Sequence, residues 1–430
     1  MPSFLRAMLA FLCLLQASAL MAPALLANAA SGPSVQAIEK ALRDNYVFPS
    51  RVPDIVQSVS DAMAGPGWSE MTDAQRANRL TDALVDATGD HHFVVGVQEE
   101  TGPSPVEFSS LEDPASNYGF NDARLLDGNI GYVRFDNFSE PDAAFATASA
   151  ALKFVENAEG LIIDLRYNNG GYNALGQFIA SHLFTNEEDR LITSYYYNEG
   201  GKRIESGHWV LAGVPGRRRP DMPVHVLTSS VTFSAAEWLA HSLQKMERAK
   251  VVGTQTAGGG HAIERFPLED SWFIQVPIGE IRGPTGEEFE GVGVTPDLAV
   301  PSRHALKISH LAMLEELNAL EPSARRDWVL AGLRPAIAPP ELSQAWLADV
   351  AGQYEGRELI HEDEGLTYKW AGRFVLGLRP LSQRLFAVEG TEDFRLEIVG
   401  DTRSDFALAR IFADGTRQVF KRVDASDESN

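Results

Sequence analysis

Cysteine is almost missing from this chain. The only one among 430 residues is Cys13, and it lies within the first 29. A disulfide framework is therefore excluded, so stability has to come from an ordinary core. Positive charge is also short: 37 Lys and Arg face 59 Asp and Glu, a formal net charge of −22. A surface that acidic argues against nucleic acid and anionic membranes as partners. Long apolar runs are absent after the N-terminus, so no stable membrane insertion is expected of the mature chain. The opening "MPSFLRAMLAFLCLLQASALMAPALLANA" has one early arginine, an interrupted apolar stretch and a small-x-small ending at Ala27-Asn28-Ala29. It reads as a signal peptide over residues 1–29, with a retained anchor as the alternative. The protein is accordingly expected to be exported, periplasmic or secreted. Cys13 has no small residues just before it, so a lipid-anchored cysteine is not expected.

A chain of this length is expected to hold two or three domains. Between Ser34 and Gly89, "VQAIEKALRDNYVF", "VPDIVQSVSDAMAG" and "TDAQRANRLTDALVDATG" place apolar residues at helical intervals. They imply a helical domain over 33–112. From about Asn117 the pattern alternates. "NIGYVRF", "GLIIDLR", "PVHVLTS" and "AKVVG" read as strands, and "EPDAAFATASAALKFVENA" and "NALGQFIASHLF" as helices between them. Alternation of this kind predicts an α/β core with crossovers, taken as 113–332. "LRPAIAPPEL" at 333–342 reads as a Pro-rich linker, and short strands with "HEDEGL", "VEGTED" and "ADGTRQ" turns imply a β-rich domain over 343–425.

Three loops carry possible chemistry. "DLRYNNGGYNA" follows a buried strand and precedes a helix, so the amides near Gly170 and Gly171 are candidates to receive an anion; a tight turn needing glycine explains the stretch equally well. In "LTSSVTFSAAEWLAHSLQ", Ser234 and Glu237 form an S-x-x-E capping box. The same serine stands after a strand and at a helix N-terminus, where a nucleophile would be helped by the helix dipole and the Ala235 amide. The G-x-S-x-G elbow motif is absent. A serine needs a base, and His91, His92 and His261 are the candidates, with His241 two turns along the serine's own helix. Adjacent histidines also suggest metal, but no spaced Cys or carboxylate cluster accompanies them. Glu290 in "EEFEGVGVTPD" is a possible orienting acid. Asp164, Arg166 and Asn169 read as ion-pair and turn residues rather than reactants.

The ordered blocks "GNIGYVRF", "GLIIDLRYNNGG", "TFSAAEWLA", "RAKVVGTQTAGGG" and "FEGVGVTPD" resemble the S41 serine peptidases across residues 34–310. That family includes the carboxyl-terminal-processing proteases, the tricorn core and the interphotoreceptor retinoid-binding protein repeats. The resemblance implies a crotonase/ClpP-like α/β superhelix. The processing branch uses a lysine base, and counting from Ser234 its position falls on Gly259, so a Ser–Lys dyad is excluded. The branch similar to the tricorn core takes a histidine from the helical region and a late glutamate, which match His92 and Glu290. A serine links the two in that core; His91 stands there in this chain, leaving the link open. About two dozen residues separate His92 from Asn117, too few for the PDZ domain of the processing branch.

The resemblance thus implies a serine peptidase: Ser234 as nucleophile, His92 as base, Glu290 as acid, and Gly170, Gly171 and Ala235 around the oxyanion. No metal or other cofactor is expected, and the partner is a peptide or protein substrate. A non-catalytic carrier of apolar ligands on the same scaffold, or an esterase or amidase for small substrates, is the alternative.

Overall fold

The computed structural model describes residues 32–97, 114–186, 190–199, 202–362, 365–370 and 372–423; the leader expected over 1–29 lies outside them. The chain opens with helices α1 (Val35–Asn45), α2 (Val52–Ala64) and α3 (Asp73–Thr88). Each boundary has a local cause. Ser34 caps α1 by accepting from the Ala37 amide, and Thr72 and Gln75 form a reciprocal capping box at the start of α3. Gly89 ends α3 at φ 76, a left-handed stop that turns the chain toward strand β1 (Val94–Val97).

Next come β2 (Phe120–Leu126), β3 (Ile130–Phe135), α4 (Asp142–Phe154), β4 (Gly160–Asp164) and α5 (Asn173–Ser181). A hairpin of β5 (Leu191–Glu199) and β6 (Lys202–Trp209) leads to β7 (Val224–Thr228), α6 (Ala235–Lys245) and β8 (Lys250–Gly253). A second hairpin, β9 (His261–Pro267) and β10 (Trp272–Arg282), precedes β11 (Leu298–Ala299), α7 (Ser302–Leu320) and α8 (Ala324–Ile337).

The central sheet runs β11-β8-β7-β4-β3-β2, parallel throughout except for β2. Strands β4 and β7 are buried at every position, which is why they read as unbroken apolar runs. Alternate residues face opposite layers. Leu161 and Ile163 pack with Ala148 of α4, Phe178 of α5 and Trp238 of α6, whereas Ile162 and Leu227 pack with Met313 and Leu314 of α7. The fold is mixed α/β. Both hairpins depart from the expected strand–helix alternation, and they build a second, antiparallel sheet, β1-β10-β5-β6 with β9 on β10. Through it the N-terminal helices share a core with the later chain: Ile38, Leu42, Ile55 and Leu80 pack with Trp272 and Ile274 of β10.

The stretch expected as a linker begins inside α8, which continues to Ile337 with Pro335 in its last turn. The proline forgoes its own bond to the Ala331 carbonyl, and the helix ends two residues beyond it. After α9 (Gln344–Val350), strands β12 (Gly352–Tyr354), β13 (Arg357–Glu362), β14 (Gly365–Trp370), β15 (Phe374–Pro380), β16 (Leu385–Val388), β17 (Phe394–Val399), β18 (Ala407–Phe412) and β19 (Arg417–Lys421) form an antiparallel meander. Its ends meet: Tyr354 bridges to Arg422, and the Glu355 amide donates to Lys421. Closure removes the exposed edges of the sheet. The Arg395 guanidinium lies 3.8 Å over the Trp328 ring of α8, tying this barrel to the preceding helices. No helix among the described residues is long and apolar enough to cross a membrane.

Candidate active site

Three neighbouring parallel strands end side by side, and the loops beyond their carboxyl ends carry Gly170, Gly171, Ser234 and Gly259, while His92 comes from the turn before β1 and Glu290 from the loop after β10. The loop after β4 is pinned by Asn168, whose side chain donates to the Phe135 carbonyl and accepts from the Gly170 amide. Asn169 is exposed, so the turn role expected of it belongs to its neighbour. Asp164 and Arg166 form the expected ion pair at 2.6 Å, with Tyr132 donating to the same carboxylate. The Asn168 carbonyl accepts from the Phe233 amide, bringing the Gly170 loop against the Ser234 turn.

That turn is sharp. Ser234 sits at φ 54, ψ −122, well outside the extended conformation of an ordinary N-cap. Holding a serine there costs about 1–3 kcal/mol, supplied by the surrounding structure. Its amide is held by the Glu237 carboxylate at 3.0 Å, which is one half of the capping box. The other half pairs the Ser234 oxygen with the Glu237 backbone amide, which leaves the hydroxyl's own proton to donate. Glu237 is fully buried and also accepts from the Gly258 and Gly259 amides at 2.6 and 2.7 Å and from the Thr256 hydroxyl. One carboxylate therefore welds the serine turn to the loop after β8. Although G-x-S-x-G is absent, the strand–serine–helix geometry is that of an elbow.

Close approach explains the glycines. A Cβ on Gly170 would lie 2.7 Å from Ser234 Cβ. The Gly170 amide is occupied by Asn168, whereas the Gly171 and Ala235 amides donate to no protein acceptor among the described residues. Of the two loop glycines, Gly171 is thus the one able to serve an oxyanion. A Cβ on Gly259 would fall 2.2 Å from the Phe233 ring, so no lysine fits there.

The histidines separate clearly. His91 is exposed. His241 is buried against Phe289, and burial pushes it down to about 4. His92 is 4% exposed, and its ring packs on that of Phe233, centroids 4.7 Å apart. Its backbone is pinned by Gln275 of β10, which donates to the His92 carbonyl. No hydrogen bond joins it to Ser234, and its Nε2 is buried without a partner. Catalytic hydrogen bonds often tighten only once substrate is bound. His92 Nδ1 lies 3.0 Å from Asp90 Oδ1, and His261 Nδ1 lies 2.6 Å from Asp90 Oδ2. Glu290 is farther, with Oε2 4.0 Å from His92 Nδ1 and 3.7 Å from His261 Nδ1; it accepts from the Gly260 amide.

Asp90 was not singled out from the sequence. Burial raises its pKa, but hydrogen bonds from His261 and His92 outweigh that and hold it well below the usual carboxylate range. Burial lowers His261, and its bond to Asp90 with the charge of Glu290 reverses the sign, leaving it raised. Burial raises Glu290 despite the nearby His261. Two imidazoles and two carboxylates within 4.8 Å are donors a divalent metal accepts. A metal at the two Nδ1 atoms would have to displace both hydrogen bonds to Asp90.

Residues 129–300 match the family model for peptidase family S41. A carboxyl-terminal-processing protease of Synechocystis sp. is 33% identical over 174 residues, 40% of this chain and 38% of that protein. A carboxy-terminal-processing protease of Bartonella bacilliformis is 29% identical over 182 residues, 41% and 39% of the two chains. The matches span about two fifths of the length of these curated relatives. The solved photosystem II D1 C-terminal processing protease overlaps at TM-score 0.35, with 23% identity over 41% of this chain and 45% of that one. Through residues 129–300, this chain is similar to peptidase family S41.

Proposed function

We propose that the protein is an exported serine peptidase that hydrolyses peptide bonds in peptide or protein substrates, with Ser234 as nucleophile and His92 as base. The observation that carries this reading is Ser234 on a strained turn at a helix N-terminus, near two unengaged amides, with its neighbour Phe233 packed on a buried imidazole whose Nε2 is unpaired. Ser234 Oγ attacks the scissile carbonyl carbon while its proton passes to His92 Nε2. The oxyanion takes hydrogen bonds from Ala235 and Gly171; loss of one such donor costs ~10²–10³ in kcat. His92 then returns the proton to the leaving amine, and a water, deprotonated by His92, releases the acyl group as a carboxylic acid. Glu290 contributes negative charge beside both imidazoles. No step calls on a metal.

The architecture belongs to the same proposal: a leader over 1–29, a helical region to 112, a crotonase/ClpP-like superhelix over 113–332, and an appended β-domain after the 333–342 segment. The histidine in place of a lysine at the base assigns the chain to the tricorn-like branch, without a PDZ domain.

The test is fluorophosphonate labelling of the purified protein, read by peptide mapping beside Ser234→Ala and His92→Ala. Stoichiometric labelling at Ser234, lost in both variants, supports the assignment. Labelling that survives His92→Ala moves the base to His261. A folded protein that takes no label is a carrier rather than an enzyme. A labelled protein that turns over small esters and no peptides is an esterase.

A further inference from the structure

Resting on the serine-peptidase reading, we propose that Asp90 is the residue that positions His92, and that His261 holds Asp90 in place, so the acid bonded to the base comes from the helical region and not from the Glu290 loop. The argument begins with α3. Its left-handed stop at Gly89 delivers Asp90 into a tight turn, where Oδ1 accepts from the His92 amide at 2.8 Å and meets its own Nδ1 at 3.0 Å. A carboxylate that grips both the backbone and the ring of one histidine fixes the ring's orientation. It also fixes the tautomer. With Nδ1–H donated to Asp90, Nε2 carries the lone pair a general base needs, and Nε2 is the buried atom without a partner. At 4.0 Å, Glu290 Oε2 lies beyond hydrogen-bond distance of His92 Nδ1.

His261 completes the device from strand β9. Its Nδ1 bonds the other Asp90 oxygen at 2.6 Å, so Asp90 cannot rotate away without breaking bonds to two elements far apart in sequence. During acylation the Ser234 proton comes to rest on His92 Nε2, while the Nδ1 proton stays where it was. Asp90 accepts no proton and stabilises the imidazolium by charge. His91, which stands where the resemblance places a linking serine, is exposed and takes no part.

The groups facing this cluster are His92, His261, Glu290, Glu280 on β10, and Tyr46 with Arg51 behind it. In the full chain, Asp90→Asn is expected to lower kcat by ~10³–10⁴ with KM little changed, as when the orienting aspartate of a serine protease is amidated. Glu290→Gln is expected to lose far less. In ¹⁵N-histidine NMR, the Nδ1–H tautomer of His92 is expected in the wild type and in Glu290→Gln, and lost in Asp90→Asn; a merely structural aspartate would not alter it. Should Asp90→Asn fold poorly, His261→Gln is the second variant: it frees one Asp90 oxygen and is expected to lower kcat by less than Asp90→Asn while weakening the Nδ1–H tautomer of His92 in the same NMR spectra, and an unchanged kcat and tautomer would overturn the part given to His261. Wild-type labelling at Ser234 with an unimpaired Asp90→Asn and an inactive Glu290→Gln overturns this role alone. A wild type that never labels overturns the peptidase reading and this role with it.

Discussion

Asp90 and Asp164 are both buried aspartates, and their partners set them apart. Asp164, with no exposure, is clamped by the Arg166 guanidinium and the Tyr132 hydroxyl. Arg166 is a permanent cation: burial works against its charge, but the bond to Asp164 raises it further. Asp90, 3% exposed, is clamped by two imidazoles instead. One carboxylate is locked to a fixed charge and serves the fold. The other is bonded to the side chains that the proposed mechanism uses.

The comparison is tested most severely through activity. Asp90→Asn is expected to cut turnover by ~10³–10⁴ in protein that is still folded, whereas Asp164→Ala changes turnover only through the folded fraction; both are read as kcat per folded molecule. The next effect is on stability. Asp164→Ala leaves Arg166 buried without its partner and is expected to cost about 3–5 kcal/mol in urea unfolding. Gly259→Ala pushes a methyl into the Phe233 ring and is expected to cost about 1–3 kcal/mol by the same measurement.

Smaller still is the dependence on pH. Because His261 is raised in the folded state, its contribution is full below about pH 6.5 and is lost as pH rises through the folded value. Asp90 is depressed, so its contribution is present above about pH 4 and lost on acidification. The Tm gap between wild type and His261→Gln should therefore be widest between about pH 4 and 6.5 and narrow toward pH 8, while the gap for Asp164→Ala stays level from neutral pH upward. Last, dialysis against a chelator is expected to leave peptide turnover unchanged. A loss restored by zinc would assign the Asp90–His92–His261–Glu290 group to metal instead.

What was legible follows from where the signal resides. The α1–α3 periodicity, the buried β4 and β7 runs and the Ser234 turn are encoded locally, by spacing and by small residues at strand ends. Asp90 was not legible, because its meaning depends on His261, 171 residues away. The local clue was an acid just past a glycine helix stop, two residues before a histidine, which is the spacing of an Asx turn. Adjacent Asn168 and Asn169 could not be told apart, since only the fold decides which one is buried. The hairpin at 261–282 carries no Asn-Gly, Asp-Gly or Gly-Gly pair, whereas the one at 191–209 has Gly200-Gly201 between its strands, a legible signal that was passed over. The extension of α8 to Ile337 carries the helix only two residues past Pro335, so the proline signal misplaced the boundary rather than the break.

The ring of Phe233 has one more consequence, for how such sites change over generations. It fills the space above Gly259 and backs the His92 imidazole. A lysine at 259 would require that ring to be shed first, and shedding it strips the His92 imidazole of its packing partner.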